Sequence, residues 1–256
     1  MTFIRKHYPL KAACFFVATD YTCIPFTEET VMDRYFISSD ELTEEYKDRG
    51  IPEDKLIPSG IPVSRRFREK KDRIRTRRGL GIGTDGPVVL IMTGSMGYGN
   101  ISVMAETIEK GLPEDGRIII LGGNNEKLKQ KLRKEYRGNA KIQVLDFTTQ
   151  ADLYMDICDV LVTKPGGLTS TEAAAKGIPM VHSQPIRGCE TKNAEFFSGH
   201  GMSVSVQNEK DAGKKVLELL RNEAVRRHMT EAQKHYINGD AAADICDYIE
   251  AFCSGE

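Results

Sequence analysis

Ten consecutive residues, Lys164-Pro165-Gly166-Gly167-Leu168-Thr169-Ser170-Thr171-Glu172-Ala173, carry the strongest chemical signal in this chain. Before them runs Asp159-Val160-Leu161-Val162-Thr163, an apolar, β-branched stretch that predicts a buried strand. After them, Thr171 to Lys176 predicts a helix, closed by Gly177 with Pro179 beyond it. The two glycines therefore fall at a strand-to-helix turn. Without a Cβ, Gly166 and Gly167 let the backbone approach a ligand closely. Free N–H groups at a helix start, with the positive end of the helix dipole, favour a phosphate. Thr169, Ser170 and Thr171 add hydroxyl donors, and Glu172, in the first turn, offers a carboxylate to ribose hydroxyls. These residue types suit a nucleoside diphosphate. They equally suit a glycine-rich helix entry that only makes a tight turn. No G-x-x-x-x-G-K-[ST] P-loop is present, and no clean G-x-G-x-x-G with an acidic residue about 20 positions on.

The elements that must hold this turn follow from the pattern. From Gly86 onward strands and helices alternate with short loops. Strands are predicted at Val88 to Thr93, Arg117 to Leu121, Lys141 to Leu145, Val160 to Thr163, Pro179 to His182 and Met202 to Val206. Helices are predicted at Ser102 to Gly111, Glu126 to Tyr136, Gln150 to Cys158, Ser170 to Lys176 and Asn193 to Ser198, with 209–222, 223–236 and Asp240 to Phe252 at the end. That alternation marks a doubly wound, parallel α/β sheet, whose ligands sit outside the carboxyl ends of the strands. Five polar or small-residue loops meet at that edge: Thr93 to Gly99, Gly122 to Asn125, Asp146 to Thr148, the Lys164 turn, and Pro185 to Asn193. Such a cleft suits a polar, phosphate-bearing ligand.

Residues 1–62 are less regular. Ala12 to Ala18 and Arg34 to Ile37 predict strands, Ser39 to Arg49 a helix capped by Ser39 or Asp40 and by Gly50, and Lys55 to Pro58 a short strand. A densely basic stretch, Arg65 to Arg78, predicts a solvated helix or linker. We divide the chain into 1–62, a linker 63–85, a ligand-binding domain 86–239 and a terminal helix 240–256.

Composition narrows the classes. Hydrophobic residues make up 40% and charged residues 29% of 256 positions, as expected for a globular protein of one large or two small domains. A formal net charge of −1 gives no reason to expect a nucleic-acid partner. The six cysteines form no C-x-x-C pair and read as reduced thiols of a cytoplasmic protein. No stretch approaches 18 apolar residues.

Taken in order, Ala18-Thr19-Asp20-Tyr21, Gly60-Ile61-Pro62-Val63, the Thr93 to Gly99 loop, Thr163 to Thr169 with Glu172-Ala173, and Pro185 through Asn193 resemble the diacylglycerol glycosyltransferases. That family comprises monogalactosyldiacylglycerol synthases and processive diacylglycerol glucosyltransferases. More distantly the chain resembles the glucosaminyltransferase that completes lipid II. The resemblance implies a GT-B architecture: a complete C-terminal Rossmann-like domain that binds a UDP-hexose, and a partial N-terminal Rossmann-like domain of the lipid-acceptor side. Gly166, Gly167, Leu168 and Thr169 would hold the diphosphate, with Gly94 and Ser95 approaching from the other side. Glu172 would bind the ribose, the loop around Phe147 the uracil, and Glu190 and Asn193 would face the hexose. Relatives carry Gln where this chain has Cys189, which leaves glucose and galactose open as donors. Relatives also carry an acceptor-side segment, with a glycine-rich loop, that nothing here matches, so a truncated acceptor domain is expected.

The resemblance further implies inversion at the sugar with no metal and no cofactor beyond the donor. Lys164 would assist the departing UDP, or be a solvated surface residue. Asp20, at the end of an apolar strand, would be the catalytic base or orient one, or merely cap a turn. His182 ends a strand near the cleft; a satisfied structural histidine is the alternative. Diacylglycerol or a related lipid would be the acceptor, with the protein cytoplasmic or peripheral on the membrane. A UDP-binding module without activity and a GT-B epimerase are the competing functions. The Ala12 to Ala18 strand, lacking neighbours, would drive self-association through residues 1–62.

Overall fold

The computed structural model describes residues 2–8, 12–83, 85–92 and 100–255, and its strands form two parallel sheets. The first lobe holds α1 (Thr2–His7), β1 (Phe15–Val17), β2 (Arg34–Ile37), α2 (Thr43–Asp48) and β3 (Leu56–Pro58). Two short helices follow, α3 (Arg65–Arg68) and α4 (Arg73–Gly79). The second lobe begins with β4 (Val88–Met92), α5 (Ile101–Glu109), β5 (Arg117–Leu121), α6 (Glu126–Glu135) and β6 (Ile142–Leu145). It continues with α7 (Ala151–Ile157), β7 (Val160–Thr163), α8 (Gly167–Ala175), β8 (Met180–His182), α9 (Cys189–Gly199) and β9 (Val204–Ser205). Then come α10 (Glu209–Arg221), α11 (Glu223–Tyr236) and α12 (Ala241–Ser254).

The six-stranded sheet has the order β6-β5-β4-β7-β8-β9, all parallel. The chain winds outward from β4 to β6, then returns to build β7 to β9 on the other side. Between β4 and β7 the winding reverses, and ligands of such sheets bind outside that point. Side chains alternate across the sheet. Val88 and Leu90 pack with Met155, Ala173 and Phe197 on one face. Val89 and Ile91 pack with Met104, Ile108 and Val216 on the other. Burial on both faces explains the uninterrupted apolar run of β4.

The smaller sheet has the order β1-β2-β3, over a core of Tyr35, Ile37, Tyr46 and Ile51. The predicted helix over Ser39 to Arg49 is a 3₁₀ turn (Asp40–Leu42) running into α2, with Ser39 Oγ accepting from the Glu41 N–H. The strand predicted to be bare is covered on one face. α12 crosses back to it, setting Phe252 edge-on to Phe15 (5.4 Å between centroids) and Tyr248 edge-on to Phe36 (5.5 Å). Arg34 Nε donates to the Tyr248 hydroxyl at 2.8 Å.

The basic stretch is not simply solvated. Arg77 is 3% exposed and donates to the Gly86 carbonyl at 3.0 Å. Arg73 pairs with Asp159 at 2.6 Å, and Phe67 is buried. Among the described residues no helix is long and apolar enough to cross a membrane. The six cysteines are all free.

Candidate nucleotide site

β7 brings the chain to the carboxyl edge of the sheet beside β4, so the Lys164 turn emerges at the reversal point. α8 starts at Gly167, earlier than the predicted Ser170, with Gly166 as N-cap and no side-chain cap. The first intrahelical bond runs from the Ser170 N–H to the Gly166 carbonyl. The amides of Gly167, Leu168 and Thr169 precede it and have no acceptor within the helix. An uncapped helix start is an electropositive set of donors.

The two glycines do different things. Gly166 has ordinary extended backbone (φ −78°, ψ 136°), and a Cβ there would meet nothing within 4 Å. A side chain there would enter open space. A Cβ on Gly167 would overlap the Thr19 carbonyl oxygen and lie 2.9 Å from its carbon and 3.0 Å from Asp20 Cα. The expectation that Gly167 makes room for a ligand is corrected: it makes room for the chain leaving β1.

The hydroxyl row is also corrected. Ser170 is fully buried, its Oγ 3.0 Å from His182 Nε2. Thr171 Oγ1 donates to the Gly167 carbonyl (2.7 Å) and meets the Tyr21 hydroxyl (2.9 Å). Of the three, Thr169 alone stays partly open, next to Leu168 at 49% exposure. His182 is structural: Ser170 and Ser203 face its two ring nitrogens, and burial pushes its pKa down to about 3.

The earlier start of α8 moves Glu172 from the first turn to the second. Its half-buried carboxyl is pushed up to about 7 by burial, with Asp152 adding and Arg66 offsetting. Arg66 Nη1 donates to the Thr149 carbonyl at 2.8 Å, so this basic residue bridges α3 to the loop that carries Phe147. Sequence reasoning missed Arg66, because a run of basic residues looks alike along its length. The loop is anchored at Asp146, which pairs with Arg133 at 2.9 Å and Lys129 at 3.5 Å, while Phe147 is 63% exposed. Gly94 and Ser95 lie outside the described residues.

Lys164 is not a solvated lysine; its side chain is 15% exposed and pairs with Glu190 Oε1 at 3.7 Å. Glu190 Oε2 accepts from the Ile186 N–H at 2.8 Å, folding the entry to α9. Asn193 does not face the cleft, which corrects the role expected for it. It is completely buried, with its amide bonded to the Tyr21 N–H, Asp20 Oδ1 and the Pro165 carbonyl. Asp20 itself is half-buried, follows β1 and leans on this turn, and its charge helps burial to raise the Cys189 thiol. Tyr21 stacks on Phe196 (4.2 Å, 18°), completing the contact between lobes.

Comparison with known proteins places this geometry. The profile described as glycosyl transferases group 1 matches residues 72–236. That described as monogalactosyldiacylglycerol (MGDG) synthase matches residues 2–63. A processive diacylglycerol beta-glucosyltransferase of Staphylococcus carnosus is 29% identical over 232 residues, covering 90% of this chain and 59% of the relative. One of Bacillus mycoides is 26% identical over 250 residues, covering 97% and 64%. The chain thus spans about three-fifths of the length of these relatives. The fold is similar to that of MurG from Acinetobacter baumannii (TM-score 0.65, 17% identity, 96% of this chain and 68% of that one). It is also similar to Anabaena HepE in complex with UDP and glucose (TM-score 0.63, 11% identity, 94% and 72%). A UDP-GlcNAc 2-epimerase of Neisseria meningitidis bound to UDP-GlcNAc shares it too (TM-score 0.65, 13% identity, 85% and 61%). Two parallel-sheet lobes facing each other are the GT-B architecture, and the chain belongs to the glycosyl transferases group 1 family.

Proposed function

We propose that this chain binds a UDP-hexose at the start of α8 and serves transfer of the hexose, with inversion, to diacylglycerol or a related lipid. The observation that carries the proposal is the uncapped start of α8 at the reversal point of a Rossmann sheet, with open space at the Cβ position of Gly166, its N-cap. Relatives named diacylglycerol glucosyltransferases support the lipid acceptor, and glucose as the donor sugar.

The diphosphate would lie on the Gly167, Leu168 and Thr169 amides. Glu172 would accept from the ribose hydroxyls, and the Phe147 loop would receive the uracil. Gly94 and Ser95 would approach the phosphates from the other side. Glu190 would face the hexose, and Lys164, paired with it, would assist the departing UDP. During transfer, the acceptor oxygen bonds the anomeric carbon from the face opposite UDP. The bond to the β-phosphate oxygen breaks, and that oxygen keeps the electron pair. Helix-start amides are already aimed where this charge gathers, which is the largest service a site of this kind offers. Asp20 would take the proton from the acceptor hydroxyl. No step calls for a metal. The protein would work at the membrane surface, where its acceptor is. Self-association would use the outer edge of β1, since α12 covers one of its faces.

Calorimetry with UDP in EDTA, on the wild type and Gly166→Val, tests the site. Tight metal-free binding that weakens by about tenfold or more in the variant is expected, because a Cβ at Gly166 meets no protein atom within 4 Å and the added side chain would compete with the diphosphate for that space. Equal affinities would put the nucleotide elsewhere. Transfer of radiolabelled glucose from UDP-glucose to dioleoylglycerol tests the reaction. Binding without transfer would leave a nucleotide-binding module.

A further inference from the structure

An asparagine amide has two N–H donors and a carbonyl acceptor, and in Asn193 all three groups are engaged. Nδ2 donates to Asp20 Oδ1 (2.7 Å) and to the Pro165 carbonyl (3.0 Å), while Oδ1 accepts from the Tyr21 N–H (2.7 Å). The flipped amide would set a donor against a donor and an acceptor against two acceptors, so the network admits one orientation. Asn193 is 0% exposed. One buried side chain therefore joins the exit of β1, the start of the diphosphate turn and α9.

The consequence falls on Asp20. One carboxylate oxygen is committed to Asn193. The other, Oδ2, accepts only a long 3.5 Å contact from Thr19 Oγ1 among the described residues. Ser38 Oγ holds the Asp20 carbonyl at 2.7 Å, so the backbone is fixed as well. A base whose second atom is gripped by a third group presents its reactive atom in one direction.

We propose that Asn193 is a positioning residue that aims Asp20 Oδ2 at the acceptor hydroxyl and ties that aim, through Pro165, to the turn that holds the diphosphate. The proposal rests on the transferase function above. The proton passes from the acceptor hydroxyl to Asp20 Oδ2; Asn193 exchanges none and touches no substrate.

The test compares Asn193→Ala and Asn193→Asp with the wild type. It follows UDP release from UDP-glucose with dioleoylglycerol micelles, UDP affinity by calorimetry, and hydrogen exchange at the Tyr21 amide. Asn193→Ala should lower kcat by about tenfold or more, part of what a general base supplies, while the UDP Kd stays within about threefold. Asn193→Asp sets a carboxylate against Asp20. Its activity relative to wild type should recover as pH falls from 8 to 6, because the protonated acid regains a donor; Asn193→Ala should show no recovery. Being of the same size, Asn193→Asp keeps the test open if the alanine variant fails to fold. A loss of kcat matched by an equal loss of UDP affinity would make Asn193 a donor-site residue and overturn the proposal, as would identical pH responses in the two variants. The Tyr21 amide should exchange faster in Asn193→Ala, and unchanged exchange would overturn the clamp itself. A wild type that binds UDP but releases none from UDP-glucose, with exchange raised in the variant, would overturn the transferase function and the aiming role while the clamp stood.

Discussion

The exits of β7 and β1 are both turns at the carboxyl end of a parallel strand, yet their chemistry is opposite. The β7 exit offers donors: three amides without helical acceptors and the Lys164 ammonium beside them. The β1 exit offers acceptors: the Thr19 carbonyl and the Asp20 carboxylate. They are packed against each other through Gly167, Tyr21 and Asn193. One side thus suits an anion that leaves, and the other a proton that must be taken. In the proposed transfer their contact would set the distance between those two tasks, and proximity of this kind can remove a large part of a barrier.

Separating the two exits should have the largest effect. Gly167→Ala forces its Cβ onto the Thr19 carbonyl, a backbone atom that cannot rotate away. We expect a loss of about 1–3 kcal/mol, as for an overpacked core, read as a drop of several degrees in Tm. Gly166→Ala, with its new Cβ in open space and a permitted backbone, should leave Tm unchanged. Equal destabilisation by both would erase the distinction between the two glycines.

A smaller effect sharpens the anion side. Glu172, pushed up to about 7 by burial, accepts hydrogen bonds best when ionised. Uridine, which has no phosphate to titrate, should bind about tenfold more tightly at pH 8 than at pH 6, following the ionised fraction. In Glu172→Gln the affinity should be flat over that range. A flat wild-type curve would remove Glu172 from the ribose. The same shift acts on stability: an acid with a raised folded pKa loses stability as pH climbs from its ordinary value through about 7.

The smallest effect has the opposite sign. His182, buried beneath the β7 exit, is held neutral with its pKa down to about 3. Only the unfolded chain takes up its proton, so stability is lost as pH falls below about 6.5. The loss should be under about 1 kcal/mol at pH 6 and grow below it. Chemical denaturation of the wild type and His182→Gln between pH 5 and 7 checks this. The variant should lose the acid-side slope, and an unchanged slope would assign acid lability to another group.

Much of the larger sheet was legible because its signals are local. Apolar runs bounded by turns mark β5 and β7 to the residue, and their alternation with amphipathic stretches fixes a doubly wound sheet. The Lys164 turn was legible as a helix entry for the same reason, although glycine's low helix propensity delayed its predicted start. The basic stretch was not legible: nothing in its composition separates Arg77, buried beside Asp159, from Arg75, which faces solvent.

The chain order alone placed a double glycine, a helix start and a polar loop cluster on one edge of a sheet, because strand and helix periodicities are written in neighbouring residues. Only the tertiary structure decided which glycine serves the fold and which borders open space, since the atom that excludes a Cβ from Gly167 belongs to Thr19 in the other lobe. It alone turned Asn193 from the cleft toward Asp20 and Pro165. A side chain's hydrogen-bond partners are set by whichever groups folding brings within 3 Å, and in a sequence those groups have no fixed spacing.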